Sequence, residues 1–114
     1  RGVTGRVRFG PKVAGAPGQA HGGSILAVLD EVMGLASWMS GLYVMSVRMT
    51  TDFRRMLPLG TQAEIEGRVT RVRGRKVHTV GRITSALGLH AEARGLYVVL
   101  SPESIEQFRK AVMG

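Results

Sequence analysis

The chain has 114 residues, enough for one hydrophobic core and too few for two, so a single domain over 1–114 is expected. With 44% hydrophobic and 21% charged residues it sits with folded soluble proteins rather than disordered chains. Its lack of cysteine excludes disulfides, thiolate nucleophiles, zinc ribbons and iron–sulfur clusters. Sixteen Lys and Arg against eight Asp and Glu give a net charge of +8, which favours a polyanionic partner: nucleic acid, an anionic membrane surface or a phosphorylated small molecule.

Val3 to Phe9 alternate loosely and read as a first strand, followed by a loop punctuated by Gly10, Pro11, Gly15, Pro17 and Gly18. From Ser24 the period changes. Ile25, Val28, Leu29, Val32, Leu35, Ala36 and Met39 recur at helical spacing, with Leu26, Met33 and Trp38 filling much of the remaining circumference, so a helix buried nearly all round is expected. This apolar run is broken by Asp30 and Glu31 and falls short of the ~20 residues of a spanning helix, so no transmembrane segment is expected, nor is a membrane expected as the partner. The cysteine-free composition fits a reducing cytoplasm, and Arg at position 1 suggests a trimmed start.

Leu42 to Phe53 alternates, with Tyr43, Met45, Val47, Met49, Thr51 and Phe53 on one side and Ser46, Arg48, Thr50 and Asp52 on the other, as a half-buried strand does. A connection over Arg54 to Gly60 leads to a strand through Ala63, Ile65, Gly67 and Val69. Arg73-Gly74-Arg75 reads as a hairpin turn, followed by strands from Lys76 to Ser85 and from Leu89 to Leu100 about a turn at Gly88. Ser101 as cap and Pro102 in the first turn open a last helix with an Ile105, Phe108, Val112 stripe. The expected architecture is α+β: one antiparallel sheet wrapped around a central buried helix, with a short C-terminal helix. A single sheet leaves edges and a face to manage, so pairing with further copies is expected.

His21-Gly22-Gly23 opens the first helix, and Asp30 follows two turns into its apolar length. A helix start offers unpaired N–H groups and a positive dipole end, which suits a developing oxyanion. A carboxylate in a buried helix costs several kcal/mol unless partnered or solvated, so Asp30 is expected to face a cavity, with Gly34 and Ser37 beside it. The alternatives are a buried acid satisfied by backbone amides or an arginine, glycines that only shape the junction, and a His21 that only caps. His78 and His90 lie on strands without ligand spacing, where surface or packing roles dominate, and neither a metal nor a cofactor is expected.

The H-G-G, six residues, then an acid resembles the hot-dog-fold thioesterases of the PaaI-like branch. Supporting segments are Phe53-Arg54-Arg55, Leu57-Pro58-Leu59-Gly60 and Val72-Arg73-Gly74-Arg75-Lys76, and the resemblance covers nearly the whole chain. It departs from that family at Met56, where proline more often follows the basic pair. The resemblance implies the hot-dog fold and hydrolysis of an acyl-CoA thioester. In it Asp30 serves as general base or nucleophile, the Gly22 amide as oxyanion donor, Ser46 as an assisting hydroxyl and His21 as a polarising neighbour. Arg54, Arg55, Arg73, Arg75 and Lys76 are expected to gather around the coenzyme A phosphates, with Asp52 in the same region, a solvated basic face being the other reading. Eight residues of helix separate Gly22 from Asp30 by ~12 Å, so acid and amide are expected from different subunits of a homodimer or homotetramer (dimer of dimers). A non-catalytic acyl-CoA-binding protein is the alternative. A nucleic-acid partner is not expected, because 5% aromatic content and the absence of recognition motifs leave net charge as its sole support.

Overall fold

The computed structural model describes residues 2–113. Arg1, Gly114 and the side chain of Phe108, which belongs to the expected last-helix stripe, lie outside the described residues. The elements are β1 (Gly2–Arg8), a 3-10 turn (Pro11–Val13), α1 (Gly22–Met39), β2 (Val44–Phe53), β3 (Gln62–Arg73), β4 (Lys76–Ser85), β5 (Gly88–Val99) and α2 (Pro102–Met113). The strands form one antiparallel sheet in the order β1-β3-β4-β5-β2, with α1 laid across one face, which is the hot-dog arrangement. A two-residue turn at Gly74-Arg75 joins β3 to β4, and Gly74 takes the positive φ that this tight hairpin needs. Ser101 caps α2 through a 3.1 Å bond from the Ser104 N–H to its hydroxyl, with Pro102 in the first turn as expected. Among the described residues no helix is long and apolar enough to cross a membrane.

What seats α1 on the sheet is a floor of small residues. Paired residues on neighbouring strands point to the same face, and the register lines up Gly67, Gly81, Ala93 and Thr51 across β3, β4, β5 and β2. A Cβ on Gly67 would come within 2.5 Å of the Val32 carbonyl oxygen, and one on Gly81 within 3.0 Å of Met33 Cγ. The helix backbone therefore touches the sheet directly. Ile25, Leu29, Val32, Met33 and Ala36 are buried along this contact and join Ala63, Val77, Ile83, Ala91 and Tyr97 in the core.

Two expectations are corrected. Helix α1 is buried on one face, since a single sheet covers only the side it touches; Leu35, Trp38 and Met39 on the other side are 46%, 51% and 72% exposed. In β2 the alternation is broken by a bulge. Ser46 pairs with Tyr97 and Arg48 with Leu96, which leaves Val47 as an extra residue. Ser46 and Val44 consequently share the helix side with Met49, Thr51 and Phe53, while Tyr43, Met45 and Val47 are exposed. On α2, Ile105 and Val112 are exposed.

Gly67→Ala is expected to cost about 1–3 kcal/mol by overpacking and to lower Tm by roughly 10 °C, because the new methyl meets backbone rather than a movable side chain. Gly10→Ala, where a Cβ would meet open space, serves as the control. Equal melting temperatures for both variants would mean that the helix does not rest on this floor.

Candidate active site

Helix α1 begins with a cap made by its own histidine. His21 is extended at the N-cap, and its Nδ1 accepts the Gly23 N–H at 2.9 Å, so in the neutral ring the proton sits on Nε2. A Cβ on Gly23 would lie 2.9 Å from that Nδ1, so a side chain there would crowd the capping imidazole. The His21 carbonyl takes the N–H groups of Ser24 and Ile25 at 3.0 and 3.2 Å. The Gly22 N–H is left without a partner among the described residues, at the positive end of an 18-residue helix.

Two turns on, the Asp30 carboxylate meets neither an arginine nor a backbone amide among the described residues. Its Oδ1 accepts a 2.5 Å hydrogen bond from the Tyr97 hydroxyl, which also lies 3.0 Å from the Asp30 carbonyl oxygen. Burial, then this hydrogen bond and then the Asp30 charge push the Tyr97 phenol above its ordinary range, so it remains a donor. The sequence reading missed Tyr97. An aromatic on an alternating strand carries no sign of its partner, and only the β5 register places it under Asp30.

Tyr97 lies opposite Ser46 on β2, so the Val47 bulge brings the serine to the helix side that simple alternation denied it. Asp30 and Ser46 both line two grooves. One, of about 320 Å³, runs past Gly23, Leu26, Ala27 and Met49; the other, of about 410 Å³, past Gly34, Leu35, Trp38 and Val44. Asp30 thus faces open space, as expected for a lone carboxylate in an apolar helix, with an apolar groove on each side. Glu31 lines the second groove only and is exposed. A third groove, of about 310 Å³, joins Gly22 to Phe53, Arg54, Arg55 and Leu57.

The basic residues fall in two groups within the chain. Arg54 and Arg55 leave the end of β2 beside His90, their N–H groups bonded to its carbonyl at 2.8 and 3.2 Å. Arg75 lies at the other end of β5, donating to the Val99 carbonyl at 3.2 and 3.0 Å, and Lys76 is paired with Val98. About eight strand residues part the two groups, ~25 Å. Nearness of loops to hairpins in sequence says nothing about which sheet end each occupies. Arg54 is bonded to Glu92 at 2.8 Å and lies 3.7 Å from Asp52; that hydrogen bond and the two charges raise its pKa further. Asp52 pairs with Glu92 on the sheet face away from α1 and bridges Arg54 and Arg94, so as an anion it would reach a phosphate only through an arginine. Among the described residues no three His, Asp or Glu side chains are grouped to hold a metal ion.

An unfolded tyrosine ionises near pH ~10, whereas Tyr97 in the fold holds its proton beyond that. Its contribution to stability is therefore whole below pH ~10 and lost as the pH rises above it. Urea unfolding of wild type is expected to show a larger loss between pH 8 and 11 than unfolding of Tyr97→Phe. Equal losses would mean that the Tyr97–Asp30 bond does not hold the proton.

The model of the thioesterase superfamily matches residues 17–89, which include the helix start, Asp30, Ser46 and Arg54–Arg55. Acyl-coenzyme A thioesterase THEM4 of Xenopus laevis is 36% identical over 95 residues, covering 82% of this chain and 43% of the relative. Acyl-coenzyme A thioesterase THEM5 of Mus musculus is 26% identical over 100 residues, 86% of this chain and 40% of the relative. The chain thus spans less than half the length of these curated relatives. A crystal structure of a thioesterase superfamily protein superposes with TM-score 0.81 at 34% identity, covering 85% of this chain and 48% of that one. A Streptococcus mutans protein bound to acetyl CoA superposes with TM-score 0.83 at 23% identity, over 88% of this chain and 82% of that one, and shows the fold alone. Fold, matched segment and relatives agree, and the chain belongs to the thioesterase superfamily.

Proposed function

We propose that the chain hydrolyses an acyl-CoA thioester to the free acid and coenzyme A. The observation that carries this reading is the Asp30 carboxylate, anchored by Tyr97 through one oxygen and opening with Ser46 onto two grooves. The names of the THEM4 and THEM5 relatives supply the substrate class. In the base route, Asp30 takes a proton from water as the water oxygen bonds to the thioester carbon. The carbonyl oxygen gains negative charge and is met by the Gly22 N–H at the positive helix end. Collapse restores the carbonyl and breaks the C–S bond, and the departing thiolate takes up a proton. In the nucleophile route Asp30 itself bonds to the carbon, expels the thiolate, and water then cleaves the anhydride. Ser46 orients the water, and His21, with Nδ1 bound into the cap, positions the Gly22 amide.

The site works in an oligomer, a homodimer or a pair of dimers. Asp30 and Gly22 are ~12 Å apart along one rigid helix, so one thioester carbon cannot meet both within a chain. Strand β2 is an edge, and Leu35, Trp38, Met39, Tyr43, Met45 and Val47 leave an apolar surface along it and the outer side of α1. A two-fold pairing of β2 edges would bring the Phe53 end of one strand to the Val44 end of its copy. The two basic groups, ~25 Å apart in one chain, then approach one another across the interface.

Asp30→Asn is expected to lower kcat by about 10²–10⁴-fold with the fold intact, and Ser46→Ala by a smaller factor. Release of free thiol from short, long and aromatic acyl-CoA substrates measures both. Near-wild-type turnover by Asp30→Asn would remove Asp30 from the chemistry, and tight binding of acyl-CoA without turnover by the wild type would favour a binding protein.

A further inference from the structure

His90 is fully buried, is titratable, and has no part in the reaction just described. It is the extra residue of a bulge: Thr84 pairs with Leu89 and Ile83 with Ala91, leaving His90 between them without a partner on β4. Two consecutive residues of β5, His90 and Ala91, are buried as a result, where alternation would bury one.

The ring so turned inward grips the segment that carries the arginines. His90 Nδ1 lies 3.0 Å from the Met56 carbonyl oxygen and 3.3 Å from that of Arg55. Carbonyls only accept, so the Nδ1 carries a proton and donates. Nε2 lies 2.6 Å from the Ser85 hydroxyl, which also accepts the Leu87 N–H at 3.0 Å. With the backbone bonds from Arg54 and Arg55 to its carbonyl, one residue meets two N–H groups and two carbonyls of residues 54–56. The Arg55 side chain lies over the β4–β5 turn, its Nε 3.5 Å from where a Cβ of Gly88 would be. The next residue, Leu57, is buried and accepts the Ala20 N–H at 2.8 Å, which continues the connection toward the start of α1.

We infer that His90 is a positioning residue for substrate recognition: its Nδ1–H bond to the Arg55 and Met56 carbonyls sets the path of residues 54–56 and so aims Arg54 and Arg55 at the phosphates of the coenzyme A moiety. The inference rests on the proposed reading that these arginines meet that moiety. Guanidinium–phosphate contacts depend on direction, so a segment displaced by an ångström loses them while the thioester end is untouched.

Two substitutions separate positioning from packing. The amide nitrogen of Asn takes the place of Nδ1, so His90→Asn keeps the donor to the carbonyls and loses the Ser85 contact. Gln reaches the place of Nε2, so His90→Gln does the reverse. Each is assayed with an acyl-CoA and with the same acyl group on N-acetylcysteamine, which has the thioester but no phosphates. Thermal melts establish that each variant is folded. For His90→Gln, KM for acyl-CoA is expected to rise about tenfold, with KM for the truncated thioester and both kcat values within about twofold of wild type. For His90→Asn all are expected within about twofold of wild type. Arg54→Ala and Arg55→Ala are run alongside and are expected to raise KM for acyl-CoA alone. If the arginine variants discriminate between the substrates and His90→Gln impairs both alike, the positioning role is overturned and the phosphate reading stands. If the arginine variants do not discriminate, both are overturned. Should His90→Gln not fold, His90→Asn decides: an acyl-CoA-selective rise in KM there contradicts the role of the Nδ1–H donor, and wild-type values support it.

Discussion

The structure depends on backbone-to-backbone contact between α1 and the sheet. A helix normally stands off a sheet by the thickness of two side-chain layers, and here Gly67 and Gly81 remove one of them. The close approach has two consequences. It brings the Asp30 carboxylate down to the Tyr97 hydroxyl rising from β5, so the acid is held by a single hydroxyl donor. It also makes the helix a fixed ruler, with the Gly22 amide at one end and an anchored acid two turns on. A more loosely seated helix would define neither the grooves beside Asp30 nor the distance between the two groups.

Around this rigid contact, single-residue bulges do the aiming. The one at Val47 turns Ser46 toward Asp30, and the one at His90 turns an imidazole toward the connection that carries Arg54 and Arg55. A bulge changes the face of every residue beyond it without changing composition, so even- and odd-numbered residues of one strand can reach the same face. β2 uses this to place Ser46 and Phe53 on the helix side while its edge exposes Met45 and Val47. The same strand therefore serves the site and leaves the apolar edge on which the proposed pairing of chains depends.

Much of this was legible in the sequence because it rests on local physics. Helix α1 follows from its apolar period, the β3–β4 hairpin from Gly74 between two strand patterns, and the start of α2 from Ser101-Pro102. The cavity beside Asp30 was readable from the cost of burying a lone carboxylate. What stayed hidden depends on pairing between distant residues. Neither bulge has a local signature, so simple alternation puts Ser46 on the other face and gives no sign that His90 reaches the Arg55 and Met56 carbonyls. Tyr97 becomes a partner of Asp30 only through the β5 register. The basic residues looked like one group because they fall in loops and turns, yet the strand length puts Arg54 and Arg75 at opposite ends of the sheet. The outer side of α1 was expected to be buried because its residues are apolar, which one chain cannot satisfy.

The claim that acid and oxyanion donor come from different chains is open to a direct measurement by complementation. Asp30→Asn removes the acid, and Gly22→Pro removes the amide proton at a first-turn position where proline is compatible with the helix. Unfolded together and refolded as mixed dimers, two inactive variants place both lesions in one composite site and leave the other whole. Hydrolysis of acyl-CoA should then return, up to one working site per heterodimer, in material whose assembly has been verified by size. Correctly assembled heterodimers with no activity would contradict the account, because acid and amide would then have to act within a single chain.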